Sequence, residues 1–462
     1  SGMVRGVGKV MAERIVNRFG AETLDVIDEQ PERLREVLGI GQKRVDSVIK
    51  AWQEQRAIKD VMVFLHSHGI STHLAVKIYK QYGDQSLAVV QSTPYRLVQD
   101  IHGIGFKTAD KIAQALGLSP DDPARIEAGI HYTLSKMADD GHVYAPQAEL
   151  EPAAADILQV PAERVTAVLE ALEHSELVRR DTIQVADGEA GVTSDKRRAT
   201  SQEKPVTYDA SELVTRHPSP VTVREEQAIY LPALYFSETG LTRRVRRVVE
   251  HPTSRLAKIR RYELGIRNGE QGKNTAAALT AQQQQAVNAA LGHKLTILTG
   301  GPGTGKTTTI NNLLNTLDAA GHSYVLAAPT GRAAKRVTEA TGREAKTIHR
   351  LLEFKPGEGF GRNEHNPIDA DLVIIDETSM LDLVLAYNLL KAIDSASHLL
   401  LVGDVDQLPS VGAGDVLRDL IASDVAAVIR LETIFRQAAN SLIIRNAHRI
   451  NQGLMPETDQ AS

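Results

Sequence analysis

The stretch LTGGPGTGKTTTI, residues 298–310, has the residue types and spacing of a phosphate-binding loop. The stretch matches the pattern G-x-x-x-x-G-K-[ST], with Gly300 at the first fixed position and Gly305, Lys306 and Thr307 at the last three. Backbone N–H groups of such a loop surround phosphates, the lysine reaches the outer phosphates, and the hydroxyl holds Mg²⁺. The loop therefore predicts an ATP site, with the following nucleotide-binding residues: Gly301, Pro302, Gly303, Thr304, Gly305, Lys306, Thr307 and Thr308.

Two carboxylates follow another apolar run, LVII, at Asp376 and Glu377. An acidic pair at the end of a buried strand would be costly for structure alone. We therefore predict that Asp376 and Thr307 hold Mg²⁺ and that Glu377 activates the attacking water. Gln407 lies just beyond a further strand pattern, where it would sense the γ-phosphate. Arg436 is a candidate to stabilise the transferring phosphoryl group, although its spacing alone fits a surface arginine equally well.

Composition describes a globular chain of several domains. Its 462 residues are enough for about three domains of roughly 150 residues. The absence of cysteine excludes disulfides and thiolate metal sites and fits a reducing compartment. We find no apolar run long enough to span a membrane and no signal peptide, so we expect a cytoplasmic protein without a membrane partner. The net charge of −5 means that any binding to nucleic acid must come from local patches.

Strand and helix patterns alternate around these motifs. Short apolar strands separated by helices are typical of an α/β domain with a buried parallel sheet. The alternation predicts one such domain over residues 279–431. Its predicted strands are KLTILTG, SYVLAAPT, DLVIIDE, HLLLVGD and VAAVIRL.

The first 120 residues contain an internal duplication with an offset of 63 to 64 residues. Each copy carries a Gly-apolar-Gly turn that resembles the helix–hairpin–helix DNA-binding unit. Such glycines permit a tight turn in which N–H groups at a helix start face a phosphate. The resemblance implies an all-α region that grips DNA backbone, and a folding or protein-docking role is the alternative. The candidate DNA-binding residues here are Gly6, Gly8, Gly39, Gly41, Gly103, Gly105 and Lys107.

Two further segments connect this region to the α/β domain. Residues 121–186 have the pattern of three helices and a final strand, which predicts a winged-helix-like segment. Residues 187–278 are predicted to be a polar linker followed by a lead-in that is helical from Val221. Residues 242–261 carry eight Lys/Arg against one Glu, which indicates either a DNA-facing surface or a solvated helix face.

Seven motifs of this chain, taken in order, resemble those of superfamily 1 helicases, and most closely those of the RecD-type branch, superfamily 1B. The motifs are LTAQQ, GGPGTGKT, APTGRAAKR, TIHRLL, VIIDETSM, GDVDQLPSVGAGDVL and IFRQ, within residues 279–437. The N-terminal hairpins are similar to those of the longer bacterial RecD-like helicases. The resemblance implies a RecA-like domain at 279–431 and an ATP-dependent DNA helicase. It would move 5′ to 3′ on single-stranded DNA with ATP and Mg²⁺.

The resemblance also implies roles for individual residues. Gln283 corresponds to the glutamine that reads adenine, although Gln284 and Gln285 lie beside it and could take that place. In the family, the segments APTGRAAKR and TIHRLL face single-stranded DNA. Thr347 could instead cap a helix, and a lone histidine such as His349 is more often structural. The implied DNA contacts are Thr330, Arg332, Thr347, His349, Pro409 and Ser410.

An insertion between TIHRLL and the VIIDE strand, residues 353–370, is rich in Gly, Pro and Asn. It should leave the sheet as a turn-based excursion. The stretch FKPGEGFGR predicts a short β-hairpin with its turn around residues 357–359. In the RecD-type family the insertion at this point is a pin at the duplex junction, and the resemblance implies that role here. An ordinary surface loop is the alternative.

The family resemblance sets expectations for the protein as a whole. The family has two RecA-like domains, whereas the motifs here stop after IFRQ, so residues 432–462 are predicted to begin a truncated second domain. We expect the chain to be a central fragment of a longer protein, one that binds ATP poorly and does not translocate. Its expected partners are single-stranded DNA and duplex DNA with a 5′ overhang, and a single-stranded-DNA-binding protein is a candidate protein partner.

Two other functions remain open at this point. One is a P-loop ATPase of another class, such as a clamp loader, which the motifs GDVDQLPSVGAGD and APTGRAAKR disfavour. The other is a DNA-binding scaffold with a vestigial ATPase, which the intact Lys306, Asp376 and Glu377 disfavour.

Overall fold

Short helices build the N-terminal part of the computed structural model, whose described residues are 9–67, 71–186, 223–259, 279–433, 441–451 and 453–458. The predictions for Gly6, Gly8 and Arg436 therefore lie outside the described residues. The chain divides into two compact units, Ser1–Tyr132 with Glu151–Glu170, and Thr133–Leu150 with Ala171–Ser462. The first seven helices are α1 Lys9–Phe19, α2 Thr23–Glu29, α3 Gln42–Ser67, α4 Thr72–Tyr82, α5 Ser86–Ser92, α6 Arg96–Asp100 and α7 Phe106–Ala115.

The sequence duplication is also a duplication of contacts. The hydroxyl of Thr23 donates to the carbonyl of Gly20 at 2.7 Å, and 63 residues later the hydroxyl of Ser86 donates to the carbonyl of Gly83. Each copy buries its own apolar cluster. The first contains Ile15, Phe19, Val26, Leu34, Val37, Ile40, Val45 and Val48, and the second contains Ala75, Ile78, Val89, Val90, Leu97, Ile101, Ile104 and Ile112. The two copies are therefore two small folded modules of one type.

The next elements are those of the predicted winged-helix segment, with two strands that the sequence did not reveal. They are α8 Pro123–Asp139, β1 Ala145–Pro146, α9 Gln147–Leu158, α10 Ala162–His174, β2 Arg179–Ala186 and β3 Val223–Tyr230. The strands form an antiparallel sheet in the order β1-β3-β2.

The expectation of helices from Val221 was wrong at this point, because β3 occupies Val223–Tyr230. Its sequence VREEQAIY is rich in charge, so it shows no run of apolar residues that predicts a strand. Its backbone groups instead pair with β2 along eight residues, from Val223 opposite Ala186 to Tyr230 opposite Arg179. A partner that lies more than 30 residues away in sequence cannot be read from the local pattern.

A six-stranded parallel sheet forms the core of the second unit, as predicted. The strands are β4 Leu295–Gly300, β5 Tyr324–Ala328, β6 Ala345–Thr347, β9 Leu372–Ile375, β10 His398–Gly403 and β11 Ala427–Leu431. Their order in the sheet is β11-β4-β10-β9-β5-β6. The short edge strand β6 was missed, since three half-buried residues give no periodic signal.

Helices cover both faces of this sheet, because side chains of a strand alternate between the two faces. The helices are α11 Pro232–Val249, α12 Ala281–Gly292, α13 Lys306–Ala320, α14 Gly331–Thr341, α15 Ile348–Leu351, α16 Leu383–Ala392, α17 Val416–Ala422 and α18 Leu442–Asn451. Ile297 of β4 lies in an apolar cluster with residues of α11 and α16, whereas the next residue, Leu298, lies in a cluster with residues of α12 and α13. Along the described ranges, no helix is long and apolar enough to cross a membrane.

The predicted insertion folds as a β-hairpin. Its strands β7 Phe354–Lys355 and β8 Gly359–Phe360 pair antiparallel, with Phe354 opposite Phe360. Gly357 and Gly359 have φ of +84° and +86°, a backbone region that favours glycine, which is why the turn falls where the sequence predicted. Helix α18 lies in the region, residues 432–462, that was predicted to begin a second RecA-like domain. That assignment stays a prediction.

Candidate functional site

The topology brings the predicted catalytic segments to one edge of the parallel sheet. Strands β4, β10 and β9 are neighbours, so their carboxyl ends lie side by side. The phosphate-binding loop follows β4, the Asp376–Glu377 pair follows β9, and the segment that contains Gln407 follows β10. Ligands of open parallel sheets bind outside the carboxyl ends of the strands, so this edge is the candidate site.

The phosphate-binding loop has backbone geometry that its glycines make possible. Gly303 and Gly305 have φ of +80° and +87°, and α13 begins directly after Gly305. A Cβ on Gly300 would lie 2.7 Å from the carbonyl oxygen of Leu431 and 2.8 Å from Oγ1 of Thr304, so a side chain does not fit there. The result is a helix N-terminus whose free N–H groups face the loop, as anion binding requires.

Backbone carbonyl groups of the phosphate-binding loop hold the side chain of Lys306. Its Nζ donates to the carbonyl oxygens of Gly300 and of Gly301, the latter at 3.1 Å. Thr307 and Thr308 follow in the first turn of α13, and Thr304 donates to the carbonyl of Gly301 at 2.8 Å. These contacts place the Lys306 ammonium group and the Thr304 hydroxyl group together at the start of α13.

The Asp376 carboxylate is half-buried near this positive charge. Its Oδ1 accepts a hydrogen bond from the backbone N–H of Glu377 at 2.9 Å. The pKa of Asp376 is raised to about 6, mainly by burial and also by the Glu377 charge, while the hydrogen bond from the Glu377 N–H and the Lys306 ammonium act in the opposite direction. Glu377 has φ of +55°, a left-handed conformation that is uncommon for a residue with a side chain. The backbone after β9 therefore turns sharply between the two carboxylates.

Gln407 is exposed and is oriented by an aspartate that the sequence analysis missed. Asp404 is 3% exposed at the end of β10, and its Oδ2 lies 3.4 Å from Nε2 of Gln407. The Asp404 carbonyl accepts from the Gln407 N–H at 3.2 Å, and its Oδ1 accepts from the Asp406 N–H at 3.1 Å. Its position after a strand resembles that of Asp376, but only the structure shows that it is buried and contacts Gln407.

Two buried hydroxyls next to the site also escaped the sequence analysis. Oγ1 of Thr299 and Oγ of Ser379 have no hydrogen-bond partner among the described residues. Thr299 lies opposite Gly403 in the sheet register. Thr378 donates to the carbonyl of Val402 at 2.8 Å, so this neighbour of Ser379 is satisfied. The sequence gives no sign of the difference, because threonine and serine are common in strands and turns.

Gln283 is the member of its glutamine run whose side chain contacts the phosphate-binding loop. Its Oε1 accepts from the Thr280 N–H at 3.0 Å, and its Nε2 lies 3.4 Å from the carbonyl oxygen of Gly305. Thr280 in turn caps α12 through the Gln283 N–H, which completes a capping box. Gln284 bonds only to Asn288 of its own helix, and Gln285 lines a shallow surface pocket beside β11.

The candidate DNA contacts cluster beyond β5 and β6, two adjacent strands. Thr330 caps α14 by accepting from the Ala333 N–H at 3.2 Å, and Thr347 caps α15 by accepting from the Arg350 N–H at 3.2 Å. The capping alternative for Thr347 is thus what the structure shows. Arg332 is exposed in the first turn of α14. The structure brings these side chains to the carboxyl edge of the sheet, next to the candidate ATP site.

Pro409 and Ser410 lie in the exposed loop after β10. Pro409 is exposed, whereas Oγ of Ser410 lies 2.8 Å and 2.9 Å from the carbonyl oxygens of Gly412 and Gly414. The Ser410 hydroxyl therefore stabilises its own loop. Leu408 and Val411 on either side are 71% and 88% exposed.

His349 belongs to an exposed aromatic cluster at the base of the hairpin. Its ring centroid lies 5.5 Å from that of Phe354 and 5.9 Å from that of Phe360, and the two phenylalanine rings are 5.0 Å apart. Phe354 is 44% exposed and His349 is exposed too. Its role as a DNA contact or as a structural residue of this cluster stays a prediction. Both phenylalanines were missed as site residues, although they flank the predicted hairpin turn.

The described hairpins of the N-terminal unit have the expected turn geometry. Gly39 and Gly103 have φ of +94° and +89°, and Gly41 and Gly105 immediately precede α3 and α7. Lys107 is exposed as the second residue of α7. The first N–H groups of an α-helix have no partner within the helix, so these helix starts are suited to bind an acceptor.

Three family models match the chain. A model described as a SAM-like helix-hairpin-helix tandem matches residues 3–54, and one described as the ATP-dependent RecD2 DNA helicase HHH domain matches residues 54–144. A third, described as an AAA domain, matches residues 283–413 and so includes the phosphate-binding loop and the Asp376–Glu377 pair.

Curated relatives extend the likeness over nearly the whole chain. The chain is 33% identical over 455 residues to the ATP-dependent RecD2 DNA helicase of Deinococcus radiodurans, covering 98% of this chain and 58% of that protein. It is 42% identical over 182 residues to the RecBCD enzyme subunit RecD of Mycobacterium tuberculosis, covering 34% of this chain and 32% of that subunit. The chain therefore spans less than two thirds of the length of these relatives.

Solved structures give a weaker likeness. The Pif1 helicase from Candida albicans matches with 23% identity and a TM-score of 0.31, over 39% of this chain and 46% of that one.

Proposed function

We propose, on the premise that this chain belongs to the RecD2/RecD-like family of helicases, that it carries the nucleotide-binding part of an ATP-dependent DNA helicase motor. The observation that carries this proposal is the convergence of Lys306, Asp376, Glu377 and Gln407 at one edge of the parallel sheet. The candidate DNA contacts follow the adjacent strands β5 and β6 at the same edge. The ATP site and the DNA-binding surface would then be adjacent, so that ATP hydrolysis would be coupled to movement along DNA.

Each group has a role that its surroundings support. Lys306 neutralises the outer phosphates, since its ammonium already lies at the loop carbonyls. Glu377 accepts a proton from the attacking water. Asp404 orients the side chain of Gln407, which lies near the γ-phosphate of bound ATP. Arg436 stays a candidate for stabilising the transferred group.

The residues at this edge fit a magnesium ion held jointly with phosphates. Hydroxyl and carboxylate oxygens are the ligands that Mg²⁺ prefers, and Thr307 and Asp376 supply one of each. In the described parts of the chain there is no group of three or more His, Asp or Glu that could hold a metal alone. Mg²⁺ commonly binds through one or two carboxylates plus substrate phosphates, which this site allows. When bound, the ion stabilises charge that develops on the phosphates.

The DNA track is proposed to run across α14 and α15 to the hairpin. Arg332 offers a phosphate contact, and the cluster of His349, Phe354 and Phe360 offers an exposed ring surface. Stacking of one base on an aromatic side chain contributes roughly 1–3 kcal/mol without sequence preference. The hairpin, residues 353–370, would then separate the strands as the pin. Movement 5′ to 3′ and a preference for 5′-tailed duplex belong to the proposal.

ATP turnover by the full-length protein, with and without single-stranded DNA, tests this function. Single-stranded DNA should stimulate turnover, and Lys306→Ala should lower it by about a hundredfold or more while DNA binding persists. Lys136→Ala serves as a control, because that lysine is exposed on α8 and lies outside the motif segments. Duplexes with a 5′ or a 3′ tail, compared side by side, report direction. Near-normal turnover in Lys306→Ala would overturn the assignment.

A further inference from the structure

We propose that helix α11 carries a second DNA contact, in which Arg243, Arg246 and Arg247 bind the phosphate backbone of duplex DNA as it approaches the hairpin of residues 353–370. This inference rests on the proposed function, because the hairpin meets duplex DNA only if it acts as the pin. The contact would be distinct from the single-strand track at the carboxyl edge of the sheet.

Helix α11 is held firmly in the α/β unit. Its apolar side chains Leu241, Val245 and Val248 are buried in the same cluster as α16. Gly240 packs directly under the Tyr387 ring of α16, since a Cβ there would lie 2.4 Å from Cε2 of Tyr387. These contacts fix the orientation of α11, and therefore of its opposite face, relative to the sheet.

That opposite face is basic, and its arginines have no carboxylate partner among the described residues. Arg243, Arg246 and Arg247 are exposed, and their spacing of three and four residues places them on one side of the helix. None of the three forms an ion pair with any other described residue, and Arg243 donates only to Thr239 of its own helix, with its Nε 3.2 Å from the Thr239 carbonyl oxygen. Three exposed guanidinium groups without counter-charges form a surface that favours an anion.

The helix dipole accounts for only part of this pattern. Cations are favoured in the last turn of a helix, where Arg246 and Arg247 lie. The effect falls off within that turn, so it gives no reason for Arg243, which is six residues from the last helical residue, Val249. The segment TRRVRRVVE also contains no aromatic residue, so it cannot stack bases and suits phosphates.

A half-buried ion pair places this arginine face beside the hairpin. Arg244 contacts the carboxylate of Glu364, with side chains 18% and 39% exposed. Glu364 lies between the hairpin strands and β9, within the proposed pin segment. Within that segment, Arg362 pairs with Glu353 at 2.9 Å. This pair holds together the two ends of the β7–β8 hairpin close to Glu364. DNA that reaches the hairpin as a duplex would therefore pass close to Arg243 and Arg247.

The experiment compares two variants of the full-length protein, R243Q/R247Q and R243K/R247K. Equilibrium binding is measured without ATP, at several salt concentrations, to a 5′-tailed duplex and to the single-stranded tail alone. Losing two phosphate contacts should reduce the salt slope for the tailed duplex by about 1.8, at about 0.9 for each phosphate. Affinity for the tailed duplex should fall severalfold with glutamine, and affinity for the tail should stay unchanged. The lysine variant keeps the charge and should keep the slope.

Three results would overturn the proposal. An unchanged affinity and slope in R243Q/R247Q would show that the face does not touch DNA. An equal loss for the single-stranded tail would assign the face to the single-strand track, and an equal loss in the lysine variant would show that charge is not the cause. Lack of DNA-stimulated ATP turnover in the unsubstituted protein would instead overturn the proposed function, while the binding measurement still decides the α11 contact.

Discussion

The Gln283 side chain links the start of α12 to the phosphate-binding loop. Its amide accepts from Thr280 and approaches the carbonyl of Gly305, so one 2%-exposed residue holds together two segments that are 22 residues apart. The motif likeness predicted a role in reading adenine. The structure adds a positional role, because the amide is already engaged on the loop.

Replacing Gln283 by alanine should therefore affect both nucleotide binding and stability. We expect Gln283→Ala to weaken ATP affinity severalfold and to lower the free energy of unfolding by about 1 kcal/mol, the usual loss for a helix cap. Gln284→Ala is the matched control, since its side chain is exposed and bonds within its own helix. Nucleotide titration and urea unfolding measure the two effects. Equal ATP affinity in the two variants would contradict the link.

His398 at the opposite end of the sheet predicts a pH dependence of stability. Its Nδ1 donates to the carbonyl of Ala290 at 3.0 Å, and its Nε2 accepts from the Ser254 hydroxyl at 2.7 Å. The pKa of His398 is lowered from 6.5 to about 4, mainly by burial and in part by the nearby Lys294 charge, against the hydrogen bond to Ala290. The folded protein thus keeps this ring neutral at pH values where the unfolded chain protonates it.

The contribution of His398 to stability is fully present above pH 6.5 and is lost as pH falls towards 4. The pKa difference corresponds to about 3 kcal/mol of unfolding free energy across that window. His398→Gln should flatten the pH dependence of stability between pH 6.5 and 4. Urea unfolding at half-unit steps of pH measures it, with His365→Gln, an 89%-exposed histidine, as control. Parallel pH profiles for the wild type and His398→Gln would show that the ring is not held neutral.

Among the elements, the hairpin β7–β8 has the clearest separable role. Its residues lie outside the sheet, and its tip carries the exposed pair Lys355–Glu358 at 3.0 Å. The phosphate-binding loop, Glu377 and Gln407 do not depend on it for any hydrogen bond among the described residues. Strand separation and ATP hydrolysis should therefore be separable by changing this element.

Replacing residues 355–366 by a short Gly-Ser link should abolish unwinding of a 5′-tailed duplex by the full-length protein. ATP turnover stimulated by single-stranded DNA should remain, because the catalytic edge is unchanged. Lys355→Gln/Glu358→Gln is the control, since it removes the surface pair and keeps the hairpin. Helicase and ATPase assays are run together. Normal unwinding would show that the hairpin is not the pin, and loss of both activities would assign it to the fold or the DNA track.

Considered as a whole, the chain combines a nucleotide-binding sheet with two helical modules whose Gly-apolar-Gly turns precede exposed lysines. Lys43 and Lys107 are each the second residue of a helix, at equivalent positions in the two copies. Deleting the modules is a poor test, because Arg125 would lose its 2.8 Å ion pair with Asp110. Charge substitutions leave that buried pair in place.

Lys43→Gln/Lys107→Gln should weaken duplex binding and lower the salt slope by about 1.8, for two phosphate contacts. The control variant Lys50→Gln/Lys111→Gln removes the same charge from exposed positions further along the same two helices. Binding to duplex DNA at several salt concentrations decides between the two roles. If both variants behave alike, the modules serve folding or protein docking.

Local patterns were sufficient for much of this protein. The phosphate-binding loop, the five predicted strands and the hairpin turn depend on residues that are close in sequence, such as the glycines that allow positive φ at Gly303, Gly305 and Gly357. The duplication likewise repeats its turn geometry at Gly39 and Gly103, because the same residues make the same local contacts. These features could be predicted from the sequence alone.

Only the tertiary structure decided the features that depend on distant partners. Strand β3 exists because it pairs with β2 across residues 187–222, and its charged sequence shows no strand pattern of its own. Asp404 is a buried support for Gln407 because β10 lies between β4 and β9, which no spacing in the sequence reveals. The pairing of Arg244 with Glu364 joins a helix and a hairpin that are 120 residues apart. Burial and pairing of this kind arise when the sheet assembles, so they are properties of the fold and not of any local segment.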